Sequence, residues 1–299
     1  MGPMTRRQLV ALLSAAAALG LGGSSIKWTF SALNARDRFR RLGHGLAYGP
    51  DPRQQLDVFG PERASRNLPV AVFFYGGAWN SGRRQDYAFA AQALASRGFL
   101  VVIPDYRVFP QVIYPDFVDD CARAVRWAQD HAGAYGGDPA RTLLIGHSAG
   151  AYMALQLAMD DRFLQTAGVS PGSIKGAIGL SGPYDFYPFV RPDAHDAFGP
   201  YKGDPRTSQP ITYAALPGRP PVLLIAGGQD DDVDPQNSVR MDKALKAAGN
   251  PSTLHIYPTL NHPQTIIALS APLRDTAPIL DEVVRFMIAV AGPPGADPA

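Results

Sequence analysis

The sequence is poor in the residues that mark several classes of protein. One cysteine in 299 residues excludes a disulfide framework and a zinc site built from cysteines. A formal net charge of +2, without long runs of lysine or arginine, provides no electrostatic attraction for nucleic acid. With 46% hydrophobic residues, the chain is apolar enough for a large core and less apolar than a polytopic membrane protein. The length allows one large domain or two small ones.

The positive charge is concentrated at the amino terminus. Arg6 and Arg7 precede a run of 13 mostly apolar residues, Leu9–Leu21, and this part of the chain contains no acid. A basic segment followed by a short apolar run is typical of an export signal, since a membrane-spanning helix needs about 20 apolar residues. Thr5-Arg6-Arg7 also resembles a twin-arginine export motif.

These features predict a signal peptide or membrane-anchoring leader over residues 1–24, with an exported, periplasmic or membrane-tethered location. The alternative is an amphipathic N-terminal helix in a cytoplasmic protein. Ser25–Arg41 carries a local charge of +4 and is predicted to be a basic linker. That linker can rest on anionic lipid if the leader is retained, and it is a solvated connection otherwise.

After Leu42, apolar β-like runs alternate with helical patterns. The predicted strands are Leu56–Phe59, Leu68–Tyr75, Phe99–Ile103, Thr142–Ile145, Ile174–Leu180, Pro221–Ala226 and Thr253–Tyr257. The predicted helices are Tyr87–Arg97, Asp116–His131, Ala149–Met159, Pro235–Ala248 and Asp281–Val290. This alternation indicates one α/β domain over residues 42–291, with a mainly parallel twisted sheet and helices on both faces.

Two segments depart from the alternation. Phe186–Ala215 is rich in proline, aspartate and aromatic residues, and we interpret it as a lid or cap inserted over a functional site. Residues 292–299 form a proline- and glycine-rich tail that is predicted to be disordered.

Gly146-His147-Ser148-Ala149-Gly150 is a G-x-S-x-G motif. An apolar predicted strand precedes it and an apolar predicted helix follows at once. That context predicts a nucleophile elbow, with Ser148 exposed on a sharp turn between strand and helix, as in α/β-hydrolases. Glycines are needed on both sides because a Cβ there would clash with the strand or the helix. The predicted fold is therefore the α/β-hydrolase fold, and Ser148 is the predicted nucleophile.

An elbow of this kind predicts an acid after a later strand and a histidine near the carboxyl terminus. Strand Pro221–Ala226 is followed by several aspartates, of which Asp230 is preferred because it comes first and Val233 follows three residues later. The alternatives are Asp231, Asp232 and Asp234. His262 is the predicted base, whereas His255 lies within a predicted strand and is interpreted as a cross-strand or core residue.

Tyr75-Gly76-Gly77-Ala78-Trp79 directly follows the predicted strand Leu68–Tyr75. Small residues there allow backbone N–H groups to approach a developing oxyanion. With these motifs the chain resembles α/β-hydrolase carboxylesterases of the hormone-sensitive-lipase and feruloyl-esterase-like (BD-FAE-like) type. The resemblance extends from about Tyr48 to Val290 and includes Tyr48-Gly49-Pro50, Leu56-Asp57-Val58, Asp105-Tyr106-Arg107, Ser181-Gly182-Pro183-Tyr184-Asp185 and Leu260-Asn261-His262.

The resemblance implies roles for further residues. Gly77, Ala78 and Ala149 would donate the backbone N–H groups of an oxyanion hole. Tyr75 and Ala78 stand where the family has histidine and a third glycine, and neither change abolishes the hole. Trp79 and Tyr184 are candidate substrate-binding residues, with aromatic core as the alternative.

The remaining candidates are assigned structural roles. Asp105 and Arg107 are expected to hold loops in place, and Cys121 is expected to be a small core residue. The alternating aspartates after residue 229 lack the glycine and the glutamate of a calcium-binding loop. No group of residues has zinc-ligand spacing. We therefore expect no metal and no cofactor.

The expected function is a serine carboxylesterase that hydrolyses small to medium carboxylic esters through an acyl-enzyme intermediate. Its expected partner is a small-molecule ester, with no nucleic acid. One alternative is an arylformamidase, since that family shares the motif that follows the strand Leu68–Tyr75. The other is a non-catalytic binding protein with a hydrolase-like fold.

Overall fold

The computed structural model describes residues 37–295, which form one eight-stranded sheet with the strand order β1-β2-β4-β3-β5-β6-β7-β8. Neighbouring strands from β4 to β8 in this order run parallel, and β1 and β2 add two antiparallel pairings at one edge. The strands are β1 Phe39–Ala47, β2 Gln55–Pro61, β3 Leu68–Phe74, β4 Leu100–Pro104, β5 Gly137–His147, β6 Ile174–Leu180, β7 Val222–Gly227 and β8 Ser252–Tyr257.

Helices connect the parallel strands and cover both faces of the sheet. They are α1 Ala88–Ser96, α2 Asp116–His131, α3 Ala149–Met159, α4 Asp161–Thr166, α5 Pro192–Phe198, α6 Pro210–Ala214, α7 Gln236–Ala247, α8 His262–Ile267 and α9 Ile279–Ala291. One group contains α1 and α9, which contact each other, and a second contains α2, α3 and α4. Members of both groups contact β5. The predicted α/β-hydrolase fold class is thus confirmed.

The central strands are fully buried, and burial requires residues that are apolar and uncharged. Every residue of β3 and of β4 is buried. Helix α3 is also buried on all sides, because it lies between the sheet and neighbouring helices. Cys121 is completely buried on α2, and burial raises the pKa of its thiol. It is a core residue, as expected.

The boundaries of the domain differ from the sequence-based ones. Strand β1 begins at Phe39, inside the segment predicted to be a linker, because its exposed Arg40 and Arg41 beside half-buried apolar residues suit an edge strand. Strand β5 begins at Gly137, before the start of the predicted strand Thr142–Ile145, and pairs with Leu68 there. In the proline-rich tail, the carbonyl oxygen of Pro293 accepts a hydrogen bond of 2.7 Å from Arg141 Nη2, so residues 292–295 belong to the folded domain.

The predicted leader, residues 25–36 of the predicted linker and the last residues of the tail lie outside the described residues. Between residues 37 and 295, no helix combines the length and the apolar character needed to cross a membrane.

A buried ion-pair cluster fixes the segment that precedes α1. Arg84 Nε donates to Asp57 Oδ1 over 2.8 Å, and its Nη1 donates to Asp105. Asp57 also accepts the N–H of Gly45 at 2.9 Å and lies 3.1 Å from His44 Nδ1. Burial alone would raise the pKa of Asp57, but these hydrogen bonds outweigh it, and the pKa is lowered. Asp105 thus has the loop-holding role predicted for it.

This cluster gives a prediction for stability. Asp57→Asn is expected to lower the free energy of unfolding at pH 7 by about 3 kcal/mol, because Arg84 loses a buried charged partner. A carboxyl group whose pKa is depressed on folding contributes stability above its unfolded pKa of about 4, and that stability is lost as the pH falls through the folded pKa. The variant should therefore lose less stability than the wild type between pH 5 and pH 3.

Urea unfolding measured at several pH values would test this prediction. Asp130→Asn removes an exposed carboxylate that pairs with Arg126, so it serves as a control with an effect below about 1 kcal/mol. An Asp57→Asn protein as stable as the wild type at pH 7 would contradict the prediction.

Candidate active site

Ser148 occupies the sharp turn between β5, which ends at His147, and α3, which begins at Ala149. Its φ of 55° is in the left-handed region. A Cβ on Gly146 would lie 2.1 Å from the carbonyl oxygen of Gly150, and one on Gly150 would lie 2.0 Å from that of Phe74. Both glycines are therefore required by close backbone contacts, and the turn has the geometry of the predicted nucleophile elbow.

The structure brings the predicted acid and base to this serine. His262 Nε2 lies 2.8 Å from Ser148 Oγ, and His262 Nδ1 lies 2.8 Å from Asp230 Oδ2. Asp230 follows the end of β7, and His262 is the first residue of α8. Since the carboxyl ends of parallel strands meet at one edge of a sheet, residues 114 positions apart in the chain become neighbours.

The hydrogen bonds of Asp230 distinguish it from the other aspartates. Its Oδ1 accepts the N–H groups of Asp232 at 3.1 Å and of Val233 at 2.8 Å, which leaves Oδ2 directed at the histidine. Asp231, Asp232 and Asp234 are exposed and none of them contacts His262. The geometry therefore favours Asp230 among the four candidates.

His255 lies within a strand, as predicted, and of the two interpretations the cross-strand one holds, because it pairs with Ile225 of β7. It lies on β8, which is the edge strand of the sheet, with its side chain 43% exposed and its Nδ1 3.4 Å from Glu282. It is not a core residue, because the edge position, which exposes one side of the strand, is set by the strand order and not by the local sequence.

The three backbone N–H groups predicted to form an oxyanion hole are those of Gly77, Ala78 and Ala149. Gly77 has a φ of 148° and Ala78 a φ of 48°, so this segment turns sharply after β3. Ala149 is the first residue of α3, where N–H groups have no partner within the helix. Among residues 37–295, no hydrogen bond is donated by the N–H groups of Gly77, Ala78 or Ala149. The N–H of Ser148 itself is bonded to the carbonyl oxygen of Leu180 at 2.9 Å.

The crowding at Gly77 gives a prediction for activity. A Cβ on this residue would lie 2.3 Å from the carbonyl oxygen of Ser81, so Gly77→Ala must displace the turn and its N–H groups. We expect kcat for ester hydrolysis to fall by about 100-fold, the usual cost of losing one oxyanion donor. Gly218→Ala is a matched control, because Gly218 also has a positive φ and its Cβ would meet nothing within 4 Å. Equal kcat values for the two variants would contradict the prediction.

Tyr87 and His147 connect the turn after β3 to His262. The N–H of Gly76 donates to the Tyr87 hydroxyl, which lies 3.1 Å from His147 Nδ1. His147 Nε2 lies 3.2 Å from the carbonyl oxygen of His262. A carbonyl only accepts, so Nε2 carries the proton and Tyr87 donates to Nδ1. Burial and the adjacent ring of His262 lower the pKa of His147, which keeps it neutral.

A cavity of about 790 Å³ opens above Ser148. The carboxyl-end loops and the predicted lid surround it, and Trp79, one of the two candidate substrate-binding residues, forms part of its wall. The Trp79 ring stacks on Phe186 of the lid, with centroids 5.5 Å apart and planes at 18°. The other lid residues at the cavity are Tyr187, Pro188, Val190, Arg191, Asp193 and Ala194.

Tyr184 does not line this cavity, contrary to the prediction. It is completely buried, and its ring occupies the space beside two glycines, Gly179 and Gly182. Its backbone N–H donates to Asn237 Oδ1 at 3.0 Å, which holds the start of the lid against α7. Tyr184 is an aromatic core residue, the alternative that the sequence left open.

The sequence did not single out Tyr87 or the individual lid residues. Tyr87 precedes a helix that is apolar on all sides, and nothing in that pattern indicates that its hydroxyl contacts His147.

The remaining candidates have structural roles. Arg107 pairs with Asp120 at 2.8 Å, which gives Arg107 its expected loop-holding role. Within residues 37–295, no group of three or more potential ligands has the geometry of a metal site.

Comparison with known proteins places the chain among esterases. The BD-FAE family model matches residues 56–245, well over half of the chain. The isoprenylcysteine alpha-carbonyl methylesterase ICME of Arabidopsis thaliana is 30% identical over 84% of this chain and 63% of its own length. The probable ICME of Oryza sativa subsp. japonica is 31% identical over 86% of this chain and 66% of its own length. The chain thus spans slightly less than two thirds of these curated relatives.

Solved structures show the same fold. An inhibited esterase B from Lactobacillus rhamnosis superposes with a TM-score of 0.76 at 20% identity, covering 94% of this chain and 96% of that one. A truncated carbohydrate esterase from gut microbiota gives a TM-score of 0.73 at 18% identity, covering 86% and 98%. With the α/β-hydrolase fold established and the family model matched across the elbow, the chain belongs to the BD-FAE family.

Proposed function

We propose that the protein is a serine carboxylesterase that hydrolyses small to medium esters through an acyl-enzyme intermediate. One observation carries the proposal: Asp230, His262 and Ser148 form an unbroken chain of 2.8 Å contacts, and its serine end opens into a cavity. This is the arrangement that activates a serine hydroxyl as a nucleophile.

In the first step, Ser148 Oγ attacks the ester carbonyl carbon while His262 Nε2 takes its proton. Asp230 holds the other ring nitrogen as the donor and stabilises the positive charge on the imidazolium. The N–H groups of Gly77, Ala78 and Ala149 bind the negative oxygen of the tetrahedral intermediate. Collapse of the intermediate breaks the bond to the alcohol, which leaves with the proton from His262.

In the second step, water hydrolyses the acyl-enzyme. His262 removes a proton from the water as it attacks the acyl carbon, and the same three N–H groups bind the second oxyanion. The bond to Ser148 Oγ then breaks, and His262 returns the proton to the serine. The carboxylic acid leaves, so the cycle consumes one ester and one water and needs no cofactor.

The cavity supports an uncharged, apolar acyl or alcohol group as the substrate. Trp79, Phe186 and Ile266 form apolar walls near the serine. The two arginines at the cavity are paired, Arg240 with Asp185 at 2.6 Å and Arg191 with Asp193 at 3.2 Å, so neither is a free partner for an anionic substrate. The methylesterases similar to this chain are named for a carboxyl methyl ester on an isoprenylated cysteine, which is also an apolar substrate.

A fluorophosphonate probe tests the proposal directly. It should add one phosphonyl group to the protein, and peptide mapping by mass spectrometry should locate that group on Ser148. A series of p-nitrophenyl esters from acetate to decanoate would then define the acyl length. Absence of labelling would contradict the proposed mechanism, and a higher kcat/KM for N-formylkynurenine than for every ester would assign the site to formamide hydrolysis.

A further inference from the structure

A second cavity lies at the amino-terminal ends of the parallel strands, whereas the active site lies at their carboxyl-terminal ends. Its volume is about 730 Å³, and it is bordered by the start of β1, the end of β2 and the starts of β3 and β5. The register places these ends together, since Phe39 pairs with Pro61 and Leu68 pairs with Gly137. The catalytic residues instead follow the carboxyl ends of β3, β5 and β7. The two cavities therefore face in opposite directions along the strands.

This second cavity is basic. Arg40, Arg63 and Arg66 line it, and no acidic residue does. All three arginines are exposed. Within the described part of the chain, their guanidinium groups have no ion-pair or hydrogen-bond partner. Most other arginines of the domain are paired, for example Arg84 with Asp57, Arg107 with Asp120 and Arg219 with Asp161. We call the surface formed by Arg40, Arg63 and Arg66 the basic edge.

The chain enters the domain at the basic edge. Strand β1 starts at Phe39, two residues after the first described residue, Asp37. Arg40 is the second residue of this strand and pairs with Gly60 of β2. The residues that precede it in sequence are the basic Ser25–Arg36 and, before them, the apolar run Leu9–Leu21. In sequence, a short apolar segment and a basic stretch thus precede the strand that borders the basic cavity.

We propose that the basic edge docks on a membrane surface of anionic phospholipid, with the active-site cavity directed away from the bilayer. Arginines near such a surface are attracted to its negative charge, and an arginine guanidinium binds a lipid phosphate with two parallel hydrogen bonds. Because the two cavities lie at opposite ends of the parallel strands, the docked protein takes its substrate from the aqueous phase.

The lone cysteine makes the orientation measurable. Cys121 is completely buried, so a cysteine introduced on the surface is the only accessible site for a thiol-reactive fluorophore. Ala64→Cys places the label at the basic edge, and Val190→Cys places it on the lid, where the native side chain is 84% exposed. The full chain carrying each label is added to vesicles that contain a headgroup-attached quencher.

With phosphatidylglycerol vesicles at low salt, we expect quenching of the label at residue 64 and little quenching at residue 190. Phosphatidylcholine vesicles, or about 1 M salt, should remove the quenching at residue 64, because the Debye length falls to about 3 Å. Reversing Arg40, Arg63 and Arg66 to glutamate should have the same effect. Reversing Arg123, Lys243 and Arg285, which are exposed on α2, α7 and α9, should leave it in place.

Each other outcome overturns the proposal. No association with anionic vesicles, equal quenching after reversal of the three arginines, or stronger quenching at residue 190 would each do so. Binding to soluble heparin without binding to vesicles would assign the basic edge to a soluble polyanion instead. The triple reversal should keep its kcat for p-nitrophenyl acetate in solution, which confirms that the variant is folded.

Discussion

Replacing Ser148 with alanine is expected to lower kcat for p-nitrophenyl butyrate by about a million-fold, the size of loss seen when a serine nucleophile is removed. The alanine keeps the turn, His262 and the N–H groups of Gly77, Ala78 and Ala149, but no atom remains to form the acyl-enzyme. Residual catalysis should come only from binding and the oxyanion hole, which stabilise direct attack by water. Purified protein, a stopped assay and long incubation times are needed to measure so small a rate.

The fold should not change with this substitution. Ser148 Oγ has one protein partner, His262 Nε2, so the melting temperature is expected to stay within a few degrees of the wild type. The fluorophosphonate probe should also fail to label the variant. An alanine variant that retains more than one hundredth of the wild-type kcat would contradict the assignment of Ser148 as the nucleophile.

Asp230→Asn is the second large effect, with an expected loss in kcat of about ten thousand-fold. The amide of asparagine can donate to His262 Nδ1, which favours the tautomer with the proton on Nε2. In that tautomer Nε2 cannot accept the proton of Ser148. The geometry of the site is retained, because the side-chain oxygen of asparagine can still accept the N–H groups of Asp232 and Val233.

The neighbouring Asp231 provides the matched control. It is exposed and does not contact His262, so Asp231→Asn should change kcat by less than about tenfold. Measurement of kcat and KM for both variants also tests the choice among the four aspartates. A large loss in Asp231→Asn together with a small one in Asp230→Asn would show that the acid was assigned to the wrong residue.

The sequence predicted those features that depend on local geometry. An elbow requires glycine on both sides of the serine, and the close contacts of Gly146 and Gly150 show why no other residue fits. Helices α2 and α3 and strand β6 have the predicted bounds because their apolar patterns end at clear turn residues. The elbow motif predicted an acid and a histidine later in the chain, and the parallel sheet brings the ends of the strands that precede them to one edge.

The predictions that failed concern exposure. Tyr184 was expected at the substrate and is completely buried. His255 was expected to be a cross-strand or a core residue, and it is a half-exposed cross-strand residue. Strand β1 was missed because its arginines resemble a solvated linker. In each case the residue type is compatible with either environment, and the neighbours that decide between them come from distant parts of the chain.

The sequence by itself determined the fold class and predicted Ser148 as the nucleophile and His262 as the base, because both depend on short motifs and on strand–helix periodicity. Only the tertiary structure decided that Asp230 contacts His262, that Tyr87 and His147 connect the turn at Gly76 to His262, and that the basic edge faces away from the cavity at Ser148. These relations depend on distances between loops and strand ends far apart in the chain, and such distances are set by the packing of the whole sheet.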